Sequence, residues 1–470
     1  MGITTELIDY ILSCRFENIP SSVIDAGKDL LLDSLGCALA GYSVESNKIF
    51  IDVIKGLGGV PEATIIGDGG KTSCFNAAYV NTKLANLLDM DDVLWNVAHH
   101  GTGVIHSALT IAERERSSGK DFLNAICLGY EVGARTSLAV GTIFDFDGKK
   151  LVYGTRNAYG FGAGIFGATA AAGLLLRLTA EQFENALGIT AAYAPVPLTQ
   201  KLNQDYSMCK YQLEWTASGA VMASLLARNG FTGPAGIFDD DLFALAMGRR
   251  YYHPEFLTQD LGKKWFLTET SLKPYPSCRH THYALDLFQD ILEKNNLKAD
   301  EIEEVKIKGL NRLTRWPWVN PVPKDIFWGE FSVPYNIAVM AYKVRPGPEW
   351  YHVETMKDPR ILDFCKKVKI EANPEAVELE GIPDAFIRRP TVIEVKGRGG
   401  QFFTARKESA RGDGFSQSDR MTREEVREKF LSNSGNVIGT RNAETLWEMI
   451  HQLEQVKHVG KFIPFLRKPA

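Results

Sequence analysis

Three carboxylates and two adjacent imidazoles fall within fifteen residues, between Asp89 and Gly103. Asp89-Met90-Asp91-Asp92 follows an apolar, helix-like stretch, and His99-His100-Gly101-Thr102-Gly103 comes a few residues later. The whole chain holds only nine histidines, so a neighbouring pair beside an acidic run stands out. Carboxylates and imidazoles held together shift one another's pKa toward working pH, which is what proton transfer to or from carbon requires. A second cluster, Lys273-Pro274-Tyr275-Pro276-Ser277-Cys278-Arg279-His280-Thr281-His282, sits where two prolines give an extended entry and a helix should begin near Thr281. Lys273 and Arg279, with the free N–H groups of a helix start, suit a carboxylate ligand. His280 and His282 are candidate acids or bases. Taken singly, either cluster reads as a solvated loop or as packed core histidines. The pairing of Asp89 with a His-rich, glycine-flanked loop tips the balance toward function.

Other patterns carry less. Asp89-Met90-Asp91-Asp92 has the outline of the proton-donating motif of class II terpene cyclases without its surroundings, and it lacks the glycine and terminal glutamate of a calcium loop. Gly160-Phe161-Gly162-Ala163-Gly164 lacks the preceding strand and the spacing of a dinucleotide site, so helix packing is its expected use. Adjacent histidines rarely face one ion, so neither a metal nor a cofactor is expected.

Long helices are expected to position the first cluster. Apolar residues recur at helical spacing after Pro20-Ser21-Ser22, from about Phe75 to Leu88, Val104 to Ser117, Asp121 to Val140 and Trp215 to Arg228. Ala163 to Leu178 is rich in Gly and Ala and should pack closely; Thr179-x-x-Gln182 caps the helix after it. Near residue 268 the texture changes. Strand-like runs (Glu304 to Lys308, Val368 to Ile370, Pro390 to Lys396 and Gln401 to Arg406) alternate with helices. After Gly412-Asp413-Gly414 helices return, the first capped by Thr422-x-x-Glu425. The fold expected is mainly α with an α+β part: a helical domain from residues 1–268 and 412–470, interrupted by a smaller α+β domain, 269–411.

Composition sets the outer limits. At 470 residues, 45% hydrophobic and 23% charged, the chain can build a large core and more than one domain. A formal net charge of -4 gives no basic footprint for nucleic acid, and no apolar run is long enough for a bilayer. The seven scattered cysteines, without a Cys-x-x-Cys, and an N-terminus without a basic, apolar leader lead to the expectation of a cytoplasmic protein with reduced thiols.

In order and spacing, several segments together resemble the MmgE/PrpD family. They are Leu31-Leu32-Asp33-Ser34-Leu35-Gly36, Asp89-Met90-Asp91-Asp92, His100-Gly101-Thr102-Gly103, Phe166-Gly167-Ala168-Thr169-Ala170-Ala171-Ala172-Gly173, Asn229-Gly230-Phe231-Thr232-Gly233-Pro234, Lys273 to His282 and Phe331-Ser332-Val333-Pro334-Tyr335. The family includes 2-methylcitrate dehydratases, cis-aconitate decarboxylases and an iminodisuccinate epimerase. The resemblance implies a homodimer whose α+β part is a lid over an active site between the domains. It also implies that Asp89, His100, Lys210, Lys273 and Tyr335 match pocket residues of the decarboxylase. Three departures oppose that particular activity: Val93 stands where the decarboxylase has threonine, and Ala158 and Cys278 where it has histidines.

The activity expected is that of a cofactor-free lyase, a hydro-lyase of the 2-methylcitrate dehydratase kind, acting on a small di- or tricarboxylic acid. His100 would move the proton next to a carboxylate and Asp89 would orient it. Lys210, Lys273 and Arg279 would hold carboxylates and balance the developing enediolate. Tyr335 or His280 would protonate the leaving hydroxyl. Epimerisation or decarboxylation by the same groups, a non-catalytic carboxylate-binding dimer and a metal-dependent hydro-lyase are the alternatives.

Overall fold

Helix starts in this chain are set by short polar caps. The side chains of Ser73, Ser118 and Thr179 each accept the N–H three residues on, opening the helices Cys74–Asn86, Gly119–Ala139 and Ala180–Tyr193. Such caps contribute about 1 kcal/mol each. The computed structural model describes residues 2–95, 98–140, 144–147, 150–153, 162–195, 211–246, 252–380 and 387–469. These three helices, with Ser21–Tyr42, Gly101–Glu115, Gly164–Leu175 and Leu213–Arg228, form a helical body around an apolar core. The Gly/Ala-rich helix packs as closely as its composition predicts. A Cβ on Gly167 would lie 2.4 Å from the Gly129 carbonyl oxygen and 2.7 Å from the Gly133 nitrogen. Backbone therefore meets backbone there, and the same crossing leaves His100 against Gly133 and Gly164.

The α+β part holds a four-stranded sheet in the order Phe402–Lys407, Thr391–Gly397, Ile302–Gly309, Val368–Ala372. The last pair runs parallel and the others antiparallel. Alternation explains the layering: Val305 and Ile307 point into the core, while Glu304, Lys306 and Lys308 form ion pairs with neighbouring strands on the other face. Helix Arg279–Lys294 packs on the sheet, and Val333–Ala341 packs on that helix. The fold is thus mainly α with an α+β part.

Chain ends and chain middle meet under the acidic loop. Helix Arg423–Ile438 lies along Ser21–Tyr42, and its buried Lys429 donates to Asp33 and to the Met90 carbonyl. Val93–Leu94 pairs antiparallel with Thr270–Ser271, Val93 opposite Ser271. The Leu272 N–H in turn donates to the Gly412 carbonyl at 3.0 Å. Residues near 93, 271 and 412 are therefore stitched into one seam. The described cysteines are free thiols, and no helix among the described residues is long and apolar enough to cross a membrane.

Candidate active site

Helix Cys74–Asn86 runs out into Asp89, whose N–H still reaches the Asn86 carbonyl at 3.1 Å. Asp89 itself adopts a left-handed conformation, φ 46°. Aspartate tolerates that region better than most residues. The turn reverses the chain so that the acidic side chains point inward, and Asp89, Asp91 and Asp92 are all buried. Asp92 accepts the Gly101 N–H at 3.0 Å, at the start of helix Gly101–Glu115. Only glycine fits at 101, because a Cβ there would lie 2.4 Å from the Asp92 carboxylate.

Asp89 and Asp91 share partners. The Lys273 ammonium, fully buried, donates to Asp89 Oδ1 at 2.5 Å and to the Asp89 carbonyl at 2.8 Å, and stands 3.9 Å from Asp91. An ammonium has three N–H donors; two go to Asp89, and the third has no hydrogen-bond acceptor among the described residues. The His99 ring bridges the two acids, with Nδ1 at 3.3 Å from Asp91 and Nε2 at 3.8 Å from Asp89. Asp91 also accepts both Asn86 amide contacts (2.9 and 3.0 Å) and the Thr102 hydroxyl at 2.7 Å. Burial pushes Asp91 up, but His99, Lys273 and Thr102 outweigh it and hold the carboxyl well below its ordinary range. Asp92 is pushed up to about 6 by burial and by Asp91. Burial opposes the charge on Lys273, yet Asp89 and Asp91 keep its pKa above the ordinary value. Asp89, Asp91 and His99 offer three ligand atoms within 4.8 Å of one another, a spacing a metal ion could use. The Lys273 ammonium already supplies a cation against both acids, so the donor set fits an internal salt bridge better than an added ion.

His100 lies beside this network and outside its bonds. Its ring is buried, edge-on to Tyr130 at 5.7 Å, and neither ring nitrogen has a hydrogen-bond partner among the described residues. Burial, with a smaller push from His99, lowers its pKa to about 3, so the imidazole is neutral in the empty site. Asp89 therefore does not orient His100, as the sequence reading expects; it is bonded to Lys273. His99 is the imidazole among the acids.

The second wall distributes its groups differently. Arg279 donates through Nε (3.0 Å) and Nη2 (2.5 Å) to Asp413, through Nη2 also to the Ala410 carbonyl, and through Nη1 to the Arg411 carbonyl. That guanidinium closes the return of the chain at residue 413, so the expected carboxylate-binding role is corrected to a structural one. The ring nitrogens of His282 contact Arg279 and the Ser277 carbonyl. The Tyr335 hydroxyl, fully buried, donates to the Trp350 carbonyl, and burial pushes its pKa up. It is thus committed to backbone rather than to protonating a leaving group. His280 is buried against Trp318, and its Nε2 accepts from Arg312 at 2.9 Å. Cys278 lies where Asp89, Lys273 and Arg312 all act on its thiol, which burial, then Asp89, pushes up to about 12. Lys210 lies outside the described residues.

Sequence reasoning missed Asn86, Thr102, Tyr211 and Arg312. The Tyr211 ring stacks on His99 at 5.2 Å and its hydroxyl lies 3.5 Å from Asp89. Thr102 was within the motif; the other three carry no local signal of their own.

Residues 5–249 match the MmgE/PrpD N-terminal domain and residues 275–455 the MmgE/PrpD C-terminal domain. Among curated proteins, cis-aconitate decarboxylase of Aspergillus terreus is 22% identical over 498 residues, spanning 100% of this chain and 96% of that protein. Cis-aconitate decarboxylase of Mus musculus is 23% identical over 486 residues, spanning 100% of this chain and 94% of its own. The cis-aconitate decarboxylase-like protein oryM of Aspergillus oryzae is 26% identical over 323 residues, 65% of each chain.

Proposed function

The chain belongs to the MmgE/PrpD family, and from that premise we propose that it is a lyase acting on a small di- or tricarboxylic acid. It works by proton transfer at the carbon next to a carboxylate, with dehydration as the leading reaction. The observation that carries this reading is His100: a buried, neutral imidazole with no hydrogen-bond partner among the described residues, beside a fixed lysine–carboxylate network. An imidazole in that state is ready to take a proton, and a bound polyanion raises its pKa, so its basicity comes with the substrate. Removing the proton leaves enediolate charge, which the Lys273 ammonium can meet with its third N–H. The leaving hydroxyl must then collect a proton from a group other than Tyr335, whose hydroxyl is committed to the Trp350 carbonyl.

Decarboxylation is the second reading, favoured by the names of the relatives. Against it stand Val93 and Cys278 at positions where the decarboxylase has threonine and histidine. Epimerisation needs a proton group on each face of the carbon and stays third. The homodimer, the lid role of residues 269–411 and the cytoplasmic location belong to the same proposal.

Incubation with 2-methylcitrate, citrate and cis-aconitate in deuterated water, followed by proton NMR, tests it. Dehydration yields the olefinic acid or washes deuterium into the carbon next to the carboxylate; release of carbon dioxide moves the reading to decarboxylation. Binding with neither outcome removes the enzyme reading. Activity lost on exhaustive chelation favours the metal-dependent alternative.

A further inference from the structure

His280 sits in the first turn of helix Arg279–Lys294, and Arg312 reaches it from the turn Asn311–Thr314, just beyond strand Ile302–Gly309. A guanidinium has N–H donors and no acceptor. The 2.9 Å contact between Arg312 Nη1 and His280 Nε2 therefore fixes Nε2 as the unprotonated nitrogen. The proton of the neutral ring is then on Nδ1, and Nδ1 is buried with no hydrogen-bond partner among the described residues. A buried donor left without an acceptor is costly, and a ligand that accepts from it would remove that cost. Its surroundings select the ligand's charge. After burial itself, the groups acting most strongly on His280 are all cations: Arg312, Arg389, Lys273 and Arg279, with the last two also bonded to Asp89 and Asp413. The Cys278 thiol feels Asp89, Lys273 and Arg312 together, so the Lys273 network and the Arg312–His280 pair act on one common neighbour. Trp318 backs the ring edge-on at 5.9 Å and holds it in place.

We propose that Arg312 is a positioning residue that locks His280 as the Nδ1–H tautomer, and that this N–H is a fixed donor for a carboxylate oxygen of the substrate. His280 is then a binding group rather than an acid or base, and Arg312 acts through it. The tautomer lock stands on geometry alone; the carboxylate as its ligand rests on the functional reading above. Burial, and after it the cations around the ring, also keep it from taking a proton, so the donor is constant across the working pH range.

Two measurements separate these claims. Long-range proton–nitrogen NMR on ligand-free protein labelled with ¹⁵N-histidine reports the tautomer, with His280→Asn identifying the His280 signals. The expected result is the Nδ1–H form, unchanged from pH 5.5 to 8, and its loss in Arg312→Ala, where the ring becomes a tautomer mixture that protonates at low pH. An Nε2–H ring, or protonation near pH 6.5 in the unaltered protein, overturns the lock. Calorimetry with tricarballylate, an unreactive tricarboxylate, then reports the subsite. His280→Ala should bind roughly tenfold or more weakly, and His280→Asn, whose amide N–H lies near the position of Nδ1, should recover most of the affinity. In Arg312→Ala the affinity should become pH-dependent, tightening toward pH 5.5 as the released ring charges. Equal affinity in His280→Ala and the unaltered protein overturns the subsite. If the unaltered protein fails to bind tricarballylate, the subsite falls together with the functional reading, while the spectra still decide the lock.

Discussion

On the helical side of the site, Asp89, Asp91 and His99 form one buried network that Lys273 completes, and His100 stands next to it with neither nitrogen bonded among the described residues. On the α+β side, Arg279 turns away from the pocket into Asp413, His282 follows it, and Tyr335 bonds backbone. Both walls carry cations, imidazoles and hydroxyls within a few residues of one another. What separates them is where the compensating charge comes from. For Lys273 it comes from Asp89, at the end of helix Cys74–Asn86; for Arg279 it comes from Asp413, where the chain returns to the helical part 134 residues later.

The comparison breaks first at His100. His100→Gln should lower turnover by roughly 10²–10⁴-fold with a circular dichroism spectrum and melting curve close to those of the unaltered protein. Asp413→Asn should do the reverse. It leaves Arg279 buried without its counter-charge, which costs about 3–5 kcal/mol in urea unfolding, while KM for the preferred acid in the remaining folded enzyme changes little. A large KM effect there would return Arg279 to the pocket.

The pH response sharpens the same contrast. His100 has its pKa lowered from 6.5 to about 3, so its neutral form contributes fully above 6.5 and stability declines as pH falls from 6.5 toward 3. The decline amounts to roughly 1.4 kcal/mol per pH unit for each such histidine. Urea unfolding at pH 7, 6 and 5 should show His100→Gln with a shallower slope by one proton; an unchanged slope means that His100 titrates normally in the folded protein. Tyr335→Phe should have the smallest effect, about 1 kcal/mol of stability from one lost hydrogen bond and turnover within a few-fold of the unaltered protein. A loss of turnover comparable to that of His100→Gln would put the hydroxyl back in the chemistry.

Much of the fold was legible because its helices are long, periodic and capped. Thr179 with Gln182 and Thr422 with Glu425 form the capping boxes their spacing predicts. The strands of the four-stranded sheet were legible from alternation, within a residue or two at their ends. The seam was not, because two-residue strands such as Val93–Leu94 carry no period and exist only through a partner far along the chain. In the site, residue type and crowding marked Asp89, His100 and Lys273 as the groups to follow. Their bonding was hidden: adjacent histidines look alike in sequence, and only the left-handed turn at Asp89 decides that His99 meets the acids. Arg312 was invisible for the same reason that Arg279 was misread. A lone cation shows its charge in sequence and not its partner.

The central claim is that His100 moves a proton on the carbon next to a substrate carboxylate while the Lys273 network holds the charge. The most direct test is deuterium incorporation at that carbon, followed by NMR with the acid that turns over best. The account predicts exchange in the unaltered protein and its loss in folded His100→Gln. Exchange at the unaltered rate in folded His100→Gln would contradict it.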